Sequence, residues 1–555
     1  MSKISREVMH LKLKSKLNED LRLNESVVNF MGGTSYTINP LETLKMISAS
    51  SIFGEPQYYR RGGLAKDTYC RINDIIEEFS ILPKTFYGKR TSEIMSEAID
   101  TALSYDYEAT LEWAVTLRRV YNIRLNPQII MVRAALHSER KKFTQLNPKK
   151  FKEFNDRVML RADDTLSQIS YYLFLNDGNK NGVPSVLKRS WADALGKLDR
   201  YRVAKYKNHE IGLINAVRIC HAHSEVIDEL MKTGTVNTDD QEKTWENIRS
   251  QGKDWKEVFN SVNMGHMAIL KNVRGMFIEQ NDLEFCKVVL EKLKAGVKGG
   301  RQLPFRYYAA RSVIGGHNCN HAGLIGDAIE ECLDISMENF PFLKGRTMCL
   351  SDNSGSAWGG VATEYGYVTV AEIDNLSSTI TAARSEEGYV GKFGDKLRVY
   401  PIQKRTGILE QARRISARRD RDVGGGTEGG IWLFFYNAII NKEHWDNIFI
   451  YSDMQAGHCE LYGTDEQKKD YIKLGFGLGG YKEENINVFK LVNEYRAKVN
   501  PKVNVFTVQT AGYNNTLLPE LTYRTGILYG WTGKEVVFAD AMIKLWDEVD
   551  KRNGI

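Results

Sequence analysis

The chain of 555 residues is poor in cysteine and has no long apolar stretch. Its seven cysteines are odd in number and scattered, with no CxxC pair. That excludes a zinc ribbon or a dithiol redox motif and agrees with a reducing compartment. The longest largely apolar run, IWLFFYNAII at 431–440, is far too short to span a bilayer, so no membrane segment is expected. The N-terminal stretch MSKISREVMHLKLKSK is charged and lacks the apolar block of a secretory signal, and a cytoplasmic location is expected. No GxxxxGK[ST] phosphate loop occurs, and Ser354 and Ser356 do not sit in a G-x-S-x-G elbow, so no catalytic role is expected of them. GFGLGG at 475–480 matches G-x-G-x-x-G but follows a helical pattern where a dinucleotide site needs a strand.

What is present is enough chain for two or more cores, with 42% hydrophobic and 26% charged residues, ordinary values for globular protein. The net charge of +6 is uneven. Residues 1–350 hold 51 Lys and Arg against 43 Asp and Glu, and the remainder is slightly acidic. The first part is therefore the better candidate for meeting a polyanion.

The two parts also differ in periodicity. Residues 41 to 340 read as successive amphipathic helices: Ile94, Ala98, Ile99 and Ala102 recur at helical spacing, as do Leu111, Ala114, Val115 and Leu117. Short connectors with Pro or Asn separate further helices, which predicts an irregular solenoid of the HEAT type. From about residue 345 strands alternate with helices: RTMCLSD, KLRVYPI, NIFIYSD, KVNVFTVQ and RTGILYGW read as strands. Near-continuous apolar strands between helices predict a parallel sheet covered on both faces, a doubly wound, Rossmann-like α/β domain. The expected division is residues 1–342 and 343–555.

In such a sheet ligands bind beyond the carboxyl ends of the strands. Three loops qualify. Asp352-x-Ser354-x-Ser356 follows the first strand, VGGGTEGG places Thr427 before a helix, and IYSD places Asp453 at a strand end. Carboxylates and hydroxyls are hard oxygen donors, suited to octahedral Mg²⁺ or Mn²⁺, with Ca²⁺ an alternative, and unsuited to zinc or copper. HNCNH, with His317, Cys319 and His321, is read as structural. The basic runs RKKFTQLNPKKFK (140–152) and ARRISARRDR (412–421) are read chiefly as solvated helix faces.

Asp352, Ser354, Ser356, Thr427 and Asp453 together resemble the metal-ion-dependent adhesion site of the von Willebrand factor A domain. In that family the metal completes its shell with an acidic group of a ligand, so the resemblance implies binding and no catalysis. A helical solenoid followed by such a domain resembles the Ro autoantigen family, the TROVE-module proteins that bind Y RNA. GGTSYT, the KYK segment followed by a helix ending VRICH, and LPFRYYAARSVI are similar to segments of that family in the same order. The segment after KYK reads NHEIGLINAV and lacks the arginine the family carries there.

The resemblance implies a monomeric ring that takes single-stranded 3′ ends of misfolded RNA into its hole and Y-like noncoding RNA on its outer surface. It implies Lys205, Lys207, Arg218 and His221 as RNA contacts and polynucleotide phosphorylase or another exoribonuclease as a partner. It also implies a non-enzymatic role in RNA quality control. The alternative is a protein-interaction scaffold acting through the metal site. A metal-dependent nuclease is disfavoured, because one metal with hydroxyl ligands lacks a general base and the clustered carboxylates of two-metal chemistry.

Overall fold

The computed structural model describes residues 26–28, 34–37, 39–49, 91–207, 211–237, 244–300, 302–338, 340–358, 360–363, 366–417, 423–424, 428–452, 454, 487–510, 515–519, 522–529, 533 and 535–553. They form two compact units, which divide between Glu338 and Asn339. No helix among the described residues is long and apolar enough to cross a membrane.

The helical unit runs from Thr91 to Glu338, and its helices pack mainly on neighbours close in sequence. Local chemistry sets their ends. Asp106 caps Tyr107–Arg119 by accepting from Ala109 N at 2.9 Å, and Arg118 and Arg119 lie at the negative end of that helix dipole. Pro127 opens Asn126–Leu136, and Asp199 caps Arg200–Tyr206 through Arg202 N at 2.8 Å.

The interior of this unit is mainly apolar, and its buried polar groups include two networks that tie helices together. Arg118 and Asp164, 3% and 2% exposed, pair at 2.8 Å, and Asp164 also accepts from Leu160 N and Arg161 N, both at 3.0 Å. Gln168 joins three helices: it donates to Gln128 Oε1 and Asn155 Oδ1 and accepts from Trp191 Nε1, each at 2.8 Å. Satisfied networks of this kind fix helix register, because any slip leaves a buried polar group unpaired.

The α/β unit holds a six-stranded sheet of β3 (Leu343–Asp352), β6 (Ser385–Phe393), β7 (Leu397–Pro401), β8 (Asn447–Ser452), β9 (Asn504–Gln509) and β11 (Thr525–Tyr529). Their order across the sheet is β11-β9-β8-β3-β6-β7. Alternate residues of β3 serve opposite faces: Met348 and Leu350 pack with Trp432, Phe435 and Leu491, whereas Cys349 packs with Phe449, Phe506 and Val536. Every residue of β8 and β9 is buried, as strands covered on both faces require.

All neighbours in the sheet are parallel except β6 and β7. The sheet is thus predominantly parallel, as its near-continuous apolar strands predict, with one antiparallel edge. Residues 394–396 are too short a link for a crossover and permit only an antiparallel return. A small hairpin, β4 (Gly360–Thr363) with β5 (Gly366–Thr369), precedes the Val370–Ala383 helix.

The N-terminal segment lies elsewhere than its sequence position indicates. β1 (Ser26–Val28) pairs with β2 (Thr34–Thr37), which pairs in turn with β10 (Asn515–Thr516), and the Pro40–Ala49 helix packs against β11. Part of the GGTSYT segment therefore completes the α/β unit, through a pairing nearly the whole chain apart in sequence.

Candidate functional site

Two places carry the candidate residues. The first lies where the strand order reverses, at the carboxyl ends of β3 and β8, the usual ligand crevice of such a sheet. β3 ends on Asp352, which is fully buried. Its Oδ1 accepts from Ser354 N at 2.9 Å, a tight turn that folds the loop back over the strand end. Its Oδ2 accepts from the hydroxyl of Ser452, the last residue of β8, at 2.7 Å. Ser452 Oγ accepts in turn from Met454 N at 3.1 Å.

Beneath this loop is a buried polar cluster. Asn375, on the Val370–Ala383 helix, accepts from Ser351 Oγ at 2.8 Å and from Asn353 Nδ2 at 2.9 Å. It donates to Asn353 Oδ1 at 3.0 Å and to Ser416 Oγ at 3.1 Å. The Asn353 backbone N–H is held by Phe393 O at 2.8 Å, which ties the loop to the end of β6. Asp352 and Ser354 are thus fixed from below and from both adjoining strands.

Ser356 begins a single 3-10 turn, Ser356–Trp358. Its side chain, and Thr427 and Asp453 altogether, lie outside the described residues, as does GFGLGG. Among the described residues no group of three His, Cys, Asp or Glu could hold a metal, which includes HNCNH. His317 Nδ1 there lies 2.8 Å from Val313 O, a local helix-end bond. Sequence reasoning missed Ser452 and Asn375. The first stands within the quoted IYSD, but only pairing of β3 with β8 brings its hydroxyl to Asp352.

The second place is on the helical unit. Lys205 lies in Arg200–Tyr206, and Lys207 follows at its end. Arg218 is exposed on Leu213–Cys220, and His221, also exposed, ends that helix at φ 59°. Lys207 O accepts from Leu213 N at 3.2 Å and so joins the two helices. No direct bond joins the four side chains, and among the described residues none forms an ion pair. The Lys205 ammonium lies 5.8 Å from the Tyr206 ring. Partial burial lowers its pKa; Glu246 opposes this, and Arg161 and Arg124 reinforce it.

The architecture matches a solved structure, that of the Ro (RSR) protein of Deinococcus radiodurans. The two chains are 13% identical, with a TM-score of 0.53 over 80% of this chain and 93% of that one. The chain shares the Ro fold. No family model matches the sequence, and no curated protein matches it. At this identity the likeness resides in the arrangement of helices and sheet, and the Ro fold leaves ligand-contacting residues to be argued from this chain itself.

Proposed function

We propose that the chain is a non-enzymatic RNA-binding protein of the Ro type. It holds Y-like noncoding RNA and the single-stranded ends of misfolded RNA, in the cytoplasm, in RNA quality control. The observation that carries this reading is the Ro fold, combined with a helical unit in which Lys205, Lys207 and Arg218 have no ion-pair partner among the described residues. Lys and Arg in this state neutralise phosphates, and an exposed His221 stacks on or bonds to a base. An exoribonuclease such as polynucleotide phosphorylase is the proposed protein partner.

The α/β unit, in this reading, holds a divalent cation, Mg²⁺ or else Mn²⁺ or Ca²⁺, through Asp352, Ser354, Ser356, Thr427 and Asp453. The two described members fit such an ion: a buried carboxylate and a serine two residues on, both oxygen donors at the mouth of the switch point. When bound, the cation supplies a positive charge for an acidic group of a partner. The chain's own part is to hold Asp352 in place through Ser452 and the Asn375 cluster.

The test is an electrophoretic mobility shift with a structured RNA bearing a single-stranded 3′ tail against a blunt duplex. Tail-dependent binding should weaken with salt by about 0.7 log units per log unit for each single-strand phosphate engaged. Equal and negligible binding to both RNAs would refute the reading.

A further inference from the structure

A cleft of about 360 Å³ opens among the Lys150–Val158, Ala162–Leu175, Ser185–Leu195 and Arg200–Tyr206 helices. Pockets for small organic ligands span roughly 300–1,000 Å³, so this one exceeds what a lone phosphate needs. Its apolar wall is formed by Met159, Leu160, Ala194 and Leu198, and Tyr201 and Tyr206 add aromatic rings. Tyr201 is 37% exposed, and the Tyr206 hydroxyl accepts from Arg161 Nη2 at 3.3 Å.

The charge in the cleft is unbalanced. Its two carboxylates, Asp156 and Asp193, both accept from Lys152 Nζ, at 2.6 and 2.8 Å. The lining also holds Arg161, Lys197, Arg202 and Lys205. Arg161 pairs with Asp163 at 3.1 Å and Arg202 with Asp199 at 3.3 Å, but among the described residues Lys197 and Lys205 have no ion pair. A cationic surplus facing a partly apolar hollow selects an anion with an uncharged, flat remainder.

One further group lacks a partner. Ser190 lines the cleft, is fully buried, and its hydroxyl has no hydrogen-bond partner among the described residues. A helical serine commonly bonds the carbonyl one turn back, and this one does not. A buried hydroxyl left unpaired carries an energetic cost that a polar ligand atom removes. The wall is also preformed, because the buried Asp164 carboxylate holds the backbone of Leu160 and Arg161.

We propose that this cleft binds one nucleoside monophosphate, as the free nucleotide or as the end nucleotide of an RNA strand. The phosphate sits at Lys205 and Lys197, the base lies against the apolar wall and Tyr201, and the Ser190 side chain turns toward the cleft to pair its Oγ with a ribose or base atom. The strand-end source rests on the RNA-holding reading above; the free-nucleotide source does not. Of the four contacts nominated by family resemblance only Lys205 is used, and the others named here follow from the cleft.

The full-length protein is titrated calorimetrically with AMP, UMP and inorganic phosphate. A linear RNA oligonucleotide and its circularised form are compared by fluorescence anisotropy. Ser190→Ala and Lys205→Ala are run in both assays, with thermal unfolding as the folding control. The nucleotides should outbind phosphate, and Ser190→Ala should weaken them about five- to tenfold at unchanged melting temperature. Lys205→Ala should weaken them further, and linear RNA should lose its advantage over circular RNA in both variants.

Phosphate binding as tightly as AMP would overturn the nucleoside assignment. Failure of AMP and UMP to bind, with linear RNA bound equally by wild type and both variants, would overturn the pocket and leave the RNA-holding reading standing. Nucleotide binding sensitive to Ser190 without any RNA binding would support the pocket and overturn that reading. Absence of both would overturn both.

Discussion

The two units bury polar side chains to opposite ends. In the α/β unit the buried amides and hydroxyls of Ser351, Asn353, Asn375 and Ser416 converge beneath a single loop, the one that presents Asp352 and Ser354. In the helical unit Gln128, Asn155, Gln168 and Trp191 bond one another deep between helices, and Lys197, Lys205 and Arg218 stand exposed among the candidate ligand contacts. A doubly wound sheet dictates where its ligand goes, because strand order leaves one crevice and interior chemistry supports it. A helix stack has no such privileged point. Its interior chiefly specifies register, and its ligand surface starts from the charge that the outer faces leave unpaired.

Asp164 is where that separation is bridged, so its removal should have the largest effect. Its carboxylate neutralises the buried Arg118 and holds the Leu160–Arg161 backbone. Asp164→Ala leaves a guanidinium buried without its carboxylate and should destabilise the helical unit by about 3–5 kcal/mol. Hydrogen exchange should show lost protection in the Tyr107–Arg119 and Ala162–Leu175 helices, with the strands of the α/β unit unaffected. Equal loss in both units would mean that they do not hold their interiors independently.

Asn375→Ala probes the other side of the comparison. It deletes four hydrogen bonds in a fully buried place, leaving Ser351, Asn353 and Ser416 short of partners. The cost should be about 2–3 kcal/mol in denaturant unfolding. Mg²⁺ affinity, read by calorimetry, should fall as well, although Asn375 is not a proposed ligand. A stability loss with metal affinity intact would show that the cluster supports the fold without positioning the loop.

These contrasts also explain what the sequence disclosed. Strands β3, β8 and β9 were legible because they are apolar on both faces, and Asp352 was legible because it ends such a run. The Val370–Ala383 helix was legible as a helix, but its polar residues mislead. Asn375, Ser377, Ser378, Thr379 and Thr381 look like a solvated face and are buried, because hairpin, sheet and a further helix enclose them. The partners of β2 and Ser452 depend on pairings with segments remote in sequence, and no local pattern encodes them. Lys205 was nominated by family resemblance, while Ser190 and Tyr201 needed the helices assembled before they shared a cleft.

The smallest effect should come from the surface of the α/β unit, on the helix that also supplies Ser416. Glu410 bonds Arg413 at 2.8 Å and Arg414 at 2.8 Å, and those bonds, Arg413 first, outweigh partial burial and hold its pKa down to about 2. Its contribution is therefore present above the unfolded carboxylate range near 4.5 and is lost as pH falls from there through about 2. Both arginines are more than half exposed, so solvent and salt screen the interaction. Glu410→Gln should cost under about 1 kcal/mol at neutral pH, less in high salt, and nothing measurable below pH 2. A cost rivalling that of Asn375→Ala would mean that this unit draws its stability from its charged exterior as much as from the polar groups it buries.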